Sequence, residues 1–377
     1  MNMKLPFYVH LALTLIILWF LFYGIYIGQD ILLPLGFSFL IAVLLQPLEK
    51  LFERIKIPRV ISILMSLLIA AAFLFGLFTI LTYEVGIFMN DLPAIQKNVS
   101  AFLNNAQQWI SDTFHFSKQQ QQQAIQNAKG DGINNVKTVA GTTLSIVTGS
   151  LATIALVPIY VFLFMYYRKH LVMFIIKVFD EKHAEVVATV VSKIRTVVQK
   201  YVSGLLIETS CVALLNSIGL LIMGAPYAIL LGVIGAILNL IPYIGGLIAV
   251  ALTAIVTLSN TGDIYITLGS LGVYLAVQFI DNNFLVPRII GSSVQLNALV
   301  SILAVLIGGS LCGVGGMFLS LPFVAICKVI FDNVKELQPW GSLLGDEESA
   351  RWNIIKLPLS KKTVSKKPSK QKQAGQL

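Results

Sequence analysis

Long apolar runs, separated by short polar stretches, make up most of this sequence. Six of them are close to or above the roughly 20 residues that a helix needs to cross a bilayer. They cover approximately residues 8–27, 31–48, 60–89, 144–167, 202–223 and 264–286. The pattern therefore predicts an all-α polytopic integral membrane protein with about six full spans.

Four shorter apolar runs follow the fifth and sixth spans as two pairs. The first pair covers about 227–241 and 243–258, and the second covers about 296–311 and 314–331. Each run has about 16 residues, which is marginal for a full crossing. We therefore predict two short hairpin pairs, broken at glycine and proline, and about eight to ten membrane segments in all. Whether each pair crosses the membrane or re-enters it stays open.

Changes in polarity divide the chain into five regions. Asn, Gln and Ser are common between the third and fourth spans, where apolar residues recur at helical spacing and predict amphipathic helices. The regions are N-terminal spans one to three (1–90), an amphipathic polar insertion on the non-cytoplasmic side (91–143), span four with a basic cytoplasmic surface helix (144–201), a transport core with broken helices (202–335) and a disordered basic tail (336–377).

Composition supports a membrane protein and argues against nucleic acid as a partner. Of 377 residues, 56% are hydrophobic and only 12% are charged, whereas a soluble protein carries roughly a quarter charged residues. The net charge is +9, but the Lys and Arg residues sit in short loops and in the tail, which is how membrane orientation is encoded. The lipid bilayer is the predicted partner, in the plasma membrane, with both termini cytoplasmic.

The first short pair carries the most distinctive polar cluster. Asn239, Pro242 and Tyr243 interrupt a long apolar run, and Gly245 and Gly246 follow at once. Proline and glycine inside a membrane are tolerated where the freed backbone faces protein or a wet cavity. Broken helices of this kind point to the binding site of a transporter, here for a small solute or a cation. The alternative is a tight turn at the membrane surface.

Ionisable and amide side chains accompany this cluster. A charge at membrane depth usually faces an interior or a cavity, so Asp281 and Glu208 are candidates for the substrate or ion pathway. Asn282 adds an amide, and Gln278 lies one turn before Asp281 on the same helix face. In the structural alternative Asp281 pairs with Arg288, while Glu208 bonds a neighbouring helix.

Glycine and proline elsewhere are assigned to structure. Pro226 and Pro287 end the two full spans that precede the short pairs, and Gly291 follows the second. Gly309 and Gly313 form a GxxxG pair suited to close helix packing. No Lys-Ser/Thr follows this glycine run, so it is not a nucleotide loop, and no cofactor or metal site is predicted.

The two halves of the core suggest an internal repeat. A full span followed by a short pair occurs twice, over 202–258 and 264–331, and the two full spans enter from opposite sides. This is the pattern of an inverted repeat, which builds alternating-access sites at the repeat interface.

These motifs together resemble the AI-2E transporter family. The resemblance extends from the first span to about residue 335, and the residues that carry it are Gly224-Ala225-Pro226-Tyr227, Asn239 to Gly246, Asp281-Asn282 with Pro287 and Gly291, and the glycines from Gly308 to Gly316 with Pro322. The resemblance implies export of a small polar solute such as autoinducer-2, or sodium–proton antiport, by a homo-oligomer.

The leading interpretation is therefore a secondary transporter or facilitator that exports a small polar solute, with coupling to protons as an option. A sodium–proton antiporter is the first alternative, and a structural membrane scaffold is the alternative of another class. No His-Glu-x-x-His motif and no Ser/His pair at membrane depth occur, so no catalytic residue is assigned and the chain is predicted not to be an enzyme.

Overall fold

A computed structural model describes residues 6–114, 151–241, 244–289 and 296–345 of the chain. Within these ranges the chain is helical, apart from turns and one isolated antiparallel bridge between Leu296 and Gly345. The helices are α1 (Phe7–Ile27), α2 (Gln29–Arg54), α3 (Arg59–Phe114), α4 (Leu151–Val178), α5 (Ala184–Ile222), α6 (Ala228–Asn239), α7 (Ile244–Thr261), α8 (Ile264–Ile280), α9 (Val286–Ile289), α10 (Ala298–Asn333) and α11 (Gln338–Leu344). A π-helical segment, Asp281–Leu285, joins α8 to α9, and single 3-10 turns precede α5 and α11.

Six helical segments among the described residues are long and apolar enough to cross a membrane. They are Gln29–Arg54, Arg59–Asp91, Ala155–Val178, Ala184–Ile222, Ile264–Ile289 and Ala298–Asn333. Shorter apolar helices are formed by Leu11–Ile27, Ala228–Asn239 and Gly245–Thr261. The prediction of an all-α polytopic membrane protein is confirmed.

Helices α6 and α7 form a tight hairpin, as the first short pair predicted. A side chain at Gly245 would overlap the carbonyl group of Leu238, so the two backbones touch at this point and only glycine fits. The hairpin begins at Tyr227, which adopts a left-handed conformation with φ of 53°. Such a conformation is uncommon for a residue with a side chain, and it turns the chain sharply out of α5.

Both ends of this hairpin contact the same part of α3. At its start, the ring of Tyr227 packs against Phe88 with centroids 5.4 Å apart. At its end, Asn98 Nδ2 donates a hydrogen bond to the carbonyl oxygen of Ser259, at 2.6 Å. The hairpin therefore enters and leaves the helix bundle on one side, as a re-entrant pair and a pair of full crossings both require.

Helix α10 is also a hairpin. Cys312 and Gly313 depart from helical geometry, with φ of 60° at Gly313, and a side chain at Gly308 would overlap the backbone of Gly316. In a straight helix these two glycines would be about 12 Å apart. The prediction of close packing fails at Gly313, which forms the turn, whereas Gly309 packs closely against Met317 and Gly308 contacts Gly316.

The open end of the second hairpin lies on the opposite side of the bundle. Lys193 Nζ, near the start of α5, donates to Asn333 Oδ1 at 2.7 Å, whereas the first hairpin opens at the end of α5. Asn297 Nδ2 donates to the Leu343 carbonyl at 2.7 Å and fastens α11 beside the hairpin. The two hairpins thus enter from opposite sides, as an inverted repeat requires. A two-fold superposition of 202–258 on 264–331 stays a prediction.

Three boundaries differ from those that the sequence predicted. The first part of the insertion, up to residue 114, continues α3 without a break, and residues 115–143 lie outside the described ranges. The basic stretch 168–201 is no separate surface helix, because it forms the end of α4 and the start of α5. The tail assigned as disordered begins with an ordered segment that ends in α11.

A buried carboxylate ties α2, α3 and α4 together. Glu49 in α2 is fully buried, and Arg168 of α4 donates Nη1–H to its Oε2 at 3.0 Å. Arg59 of α3 lies with Nε 3.6 Å from Glu49 Oε1, and its Nη2 donates to the Met165 carbonyl at 2.7 Å. Two arginines thus compensate one carboxylate where three helices meet.

Candidate functional site

The tip of the first hairpin lies between two buried carboxylates. Asn239, the last residue of α6, directs its amide Nδ2 toward Asp281 Oδ2 at 3.0 Å and toward Glu208 Oε1 at 3.3 Å. Glu208 is 4% exposed and Asp281 is 2% exposed. Because one nitrogen serves both oxygens, the two carboxyl groups are neighbours, and they also contact each other. We call these three residues the carboxylate cluster.

Helix α5 contributes Glu208 to the carboxylate cluster from one buried face. Glu208, Val212 and Asn216 follow one another at intervals of four residues, which places them on one face. All three are buried, and this face is turned toward the hairpin. The other face of α5 carries exposed residues such as Leu214 and Ile218, as a helix in contact with lipid would.

A π-helical turn positions Asp281, the second carboxylate of the cluster. The N–H of Val286 bonds to the carbonyl of Asp281, five residues back, in place of the usual four. Pro287 supplies the physical reason, since it has no N–H for the carbonyl of Asn283 and its ring would clash there. The widened turn begins at Asp281, and π-turns are frequent at functional sites.

A small cavity opens beside the cluster. Its lining comes from four helices: Val212, Asn216, Gly235, Asn239, Gly246, Ala249, Tyr274, Val277, Gln278 and Asp281. It has room for about one water molecule. Asp281 Oδ1 and Asn216 Oδ1 are buried without a hydrogen-bond partner among the described residues. Two free oxygen atoms thus belong to residues that line one cavity.

Gly246 allows these groups to converge. Its Cα lies next to Gln278 Oε1 and Asn239 Oδ1, which would be the neighbours of any side chain added there. A larger residue would fill the space between the α7 backbone and these two amide oxygens. The close approach of α7 at this point explains why a glycine follows the tip.

The cluster lacks the compensation that buried carboxylates usually have. In the described part of the chain, no lysine or arginine lies within ion-pair distance of Glu208 or Asp281. Burying an ionised carboxylate without a partner is costly, and two adjacent carboxylates repel each other as well. The cluster therefore needs at least one proton or one bound cation to be stable at this depth.

The donor set decides which ligands suit the cavity. Most of the polar atoms around the cavity are carboxylate and amide oxygens, and such oxygens are the ligands of hard cations. The same carboxyl groups can hold a proton, and the amides can bond the hydroxyl groups of a polar solute. The arrangement can thus exchange protons, bind a small cation, or orient a hydroxyl-bearing solute.

The structure brings together most of the residues that the sequence singled out. Gln278 lines the cavity with the cluster, whereas Asn282 is exposed and accepts a hydrogen bond from Gln278 Nε2 at 3.2 Å. Asp281 bonds Asn239 rather than pairing with Arg288, whose guanidinium lies over the Phe284 ring, 5.9 Å from its centroid. Three predicted residues, Pro242, Tyr243 and Gly291, lie outside the described ranges.

Two polar lining residues were not predicted. Asn216 is 2% exposed with a free Oδ1, and Tyr274 is 5% exposed and donates its hydroxyl to the Leu231 carbonyl at 2.7 Å. A signal for Asn216 exists in the sequence, because it follows Glu208 by eight residues within an apolar run. Nothing in the local sequence distinguishes Tyr274 from an interfacial tyrosine.

Broken helices around a buried polar site, in a bundle of long apolar helices, define a multi-pass membrane protein of the transporter class. Residues 15–336 match the sequence profile of the AI-2E family transporter. The chain belongs to the AI-2E transporter family, and its role is membrane transport.

Relatives from distant bacteria share nearly the full length of the chain. YueF of Bacillus subtilis is 26% identical over 313 residues, which are 81% of this chain and 84% of that protein. YhhT of Escherichia coli K12 is 25% identical over 89% of this chain and 94% of its own length. MT0215 of Mycobacterium tuberculosis is 28% identical over 90% of each chain. Each of these relatives is named a putative transport protein.

Proposed function

We propose that this protein is a secondary transporter or facilitator that exports a small polar solute, with autoinducer-2 as the model substrate, and that the carboxylate cluster couples export to protons. The observation that carries the proposal is the sharing of the Asn239 amide by Glu208 and Asp281 in a buried setting without a basic partner. A purely structural role would be served better by neutral side chains.

Proton coupling follows from the charge state that this geometry demands. Two adjacent carboxyl groups at membrane depth are most stable when a proton or a cation lies between them. Loss of that ion leaves Glu208 and Asp281 as a repulsive pair, which favours separation of α5 from the end of α8. A transporter needs such a difference between its loaded and unloaded forms, because a ligand shifts a conformational equilibrium only by its differential affinity.

A sodium–proton antiporter is the second candidate, favoured by the free oxygens of Asp281 and Asn216 in one cavity. With the carboxylates, they offer an all-oxygen ligand set for a small hard cation. In this version a sodium ion and a proton compete for the same carboxyl groups, and exported solute is not required.

The proposed setting is the plasma membrane, with both termini in the cytoplasm. Glu49, Arg59 and Arg168 meet at one end of the bundle, and further basic residues lie in the same connections. Basic loops stay on the cytoplasmic side. The first hairpin then opens to the non-cytoplasmic side and the second to the cytoplasm. A homo-oligomer is part of the proposal because the resemblance to the AI-2E transporter family implies it.

Full-length protein in lipid vesicles tests the proposal. Vesicles carry a pH-sensitive dye and are loaded with autoinducer-2, and the wild type is compared with Asp281→Asn. We expect solute efflux with proton movement in the wild type, and at least a tenfold loss of both in Asp281→Asn, because the variant cannot exchange a proton at this position. A sudden rise in sodium concentration, applied to vesicles that hold no solute, distinguishes antiport from solute export. In an antiporter the sodium gradient alone moves protons.

Asp263→Asn is the matched control. It changes an aspartate of the same helix, α8, which caps the helix by accepting from the Tyr265 N–H at 2.7 Å. Asparagine caps helices as well as aspartate does, so transport should keep its wild-type rate. Equal transport by Asp281→Asn and the wild type would refute the proposal and favour a scaffold role.

A further inference from the structure

A row of hydroxyl groups lies between α7 and α8 and extends away from the cavity, which Tyr274 lines. All of its members are buried, from 0% to 5% exposed: Thr253, Thr257, Thr267, Ser270 and Tyr274. On each helix they recur at intervals of three or four residues, which places them on one face. Two packed helices that share buried hydroxyls along one seam form a polar strip inside an apolar bundle.

The row connects the carboxylate cluster with the open end of the hairpin. At one end, Gly246 of α7 lies beside Gln278 of α8; at the other end, Gly262 turns the chain from α7 into α8 with φ of 62°. The two helices are therefore antiparallel and in register. The distance from Gly246 to Thr261 along α7 is about 22 Å, most of the thickness of a hydrocarbon core.

Two of the hydroxyls have no partner, although a local one was available. Serine and threonine in helices commonly bond the carbonyl four residues back, as Thr267 does to Asp263 at 2.9 Å and Ser270 does to Ile266 at 2.8 Å. Thr253 Oγ1 and Thr257 Oγ1 are fully buried without a partner in the described part of the chain. In a dry seam this arrangement is costly for each group.

Water between the helices removes this cost. Buried water bonds polar groups that the protein leaves unsatisfied, and the seam between α7 and α8 contains several buried hydroxyl groups. Thr253 lies near the Tyr274 hydroxyl, whose proton is already donated to Leu231. Tyr274 and Asp281 line the same cavity, so water there would continue the row to the cluster.

We propose that Thr253 and Thr257, with Tyr274, line a hydrated track that carries water and protons between the carboxylate cluster and the Gly262–Asp263 end of the hairpin. The use of the track for coupling rests on the proposed function; its hydration does not. The track would give the cluster access to the non-cytoplasmic side while the bundle remains closed to larger solutes.

Cysteine accessibility tests the track directly. Single cysteines are introduced as Thr253→Cys and Thr257→Cys in full-length protein whose native cysteines, Cys211, Cys312 and Cys327, are replaced by serine. Intact cells are treated with a small membrane-impermeant methanethiosulfonate. The cysteine thiolate attacks its sulfenyl sulfur, forms a mixed disulfide and releases methanesulfinate, so the reaction needs water at the thiol. Ile255→Cys is the matched control, because Ile255 lies on the outer face of the same helix and is 51% exposed.

We expect both track cysteines to react at least about tenfold faster than Ile255→Cys, and Thr257→Cys faster than Thr253→Cys, since it lies nearer the open end. Reaction at the rate of the control, in protein that remains monodisperse, overturns the proposal. Reaction only in inverted vesicles overturns the assigned direction of the track.

A second arm uses the near-isosteric double variant Thr253→Val/Thr257→Val in the dye-loaded vesicles. Proton flux should fall at least tenfold, while Thr82→Val, whose hydroxyl bonds back to Phe78 on an exposed face of α3, retains it. Unchanged flux in the double variant overturns the proton route. Labelled track cysteines together with full transport by Asp281→Asn would refute the proposed function but support the hydrated track. Unlabelled track cysteines together with loss of transport in Asp281→Asn would refute the track but support the proposed function.

Discussion

Two regions of this molecule bury carboxylates and treat them in opposite ways. Glu49, where α2, α3 and α4 meet, is fully buried and lies 3.0 Å from Arg168 and 3.6 Å from Arg59. Glu208 and Asp281, at the hairpin tip, share a single amide and have no basic partner among the described residues. The first region carries excess positive charge, and the second carries excess negative charge.

We call Glu49 with Arg59 and Arg168 the joint, because their ion pairs fix three helices together. The carboxylate cluster differs because its counter-charge can be exchanged with the solution. A carboxylate with two arginines has its charge compensated permanently, so the joint holds its geometry whatever the solution contains. A pair of carboxylates with one amide is compensated only when a mobile ion arrives. What differs is whether the counter-charge is covalently part of the chain.

The largest expected effect comes from breaking the joint. Glu49→Ala leaves Arg59 and Arg168 facing each other at the meeting point of three helices, and loss of one partner of a buried ion pair costs about 3–5 kcal/mol. We expect the free energy of unfolding, measured by denaturant titration in mixed micelles, to fall by about this amount. Transport per folded molecule should survive, because the joint is not part of the carboxylate cluster.

Glu53→Ala serves as the control for this measurement. Glu53 lies one turn further along α2, is only half-buried, and makes no ion pair in the described part of the chain. A stability loss in Glu49→Ala that is no larger than in Glu53→Ala would show that the arginines do not depend on Glu49, and the contrast between the two regions would disappear.

At the carboxylate cluster we expect the free energy of unfolding to change in the opposite direction. Glu208→Gln keeps an acceptor for Asn239 but removes one of two adjacent carboxylates, so the free energy of unfolding should stay level or rise by about 1 kcal/mol. Proton-coupled transport should be lost at the same time. Glu185→Gln, an exposed acidic position on the same helix, should change neither quantity. A marked loss of stability in Glu208→Gln would make the cluster a second structural joint.

The sequence distinguishes the two regions only in part. Asp281, Glu208 and Asn239 stand out because a polar residue inside an apolar run has few structural explanations in a membrane. Glu49 does not stand out, since it borders a basic loop and looks like an interfacial residue. Its partner Arg168 is 119 residues away, and no periodicity or motif links the two.

Local geometry was predictable only where the covalent chemistry of one residue dictates it. The breaks at the two hairpins follow from glycine and proline, which weaken a helix wherever they occur. Which glycine turns and which packs depends on the partner backbone, so Gly313 and Gly308 could not be told apart in advance. The π-turn at Asp281 has a cause in Pro287, yet the same proline could have ended the helix.

The smallest effect is expected at an ion pair that resembles the Glu49 site in distance but whose carboxylate is exposed to solvent. Lys328 Nζ lies 2.6 Å from Asp332 Oδ2, closer than either arginine is to Glu49, yet the aspartate side chain is 43% exposed. Exposed pairs four residues apart on a helix contribute about 0.2–0.5 kcal/mol. Lys328→Gln should therefore lower the free energy of unfolding by less than about 0.5 kcal/mol, similar to Lys335→Gln at an exposed position nearby. A loss as large as that of Glu49→Ala would mean that distance, rather than removal from solvent, sets the strength of these pairs, and the argument from burial would fail at both carboxylate regions.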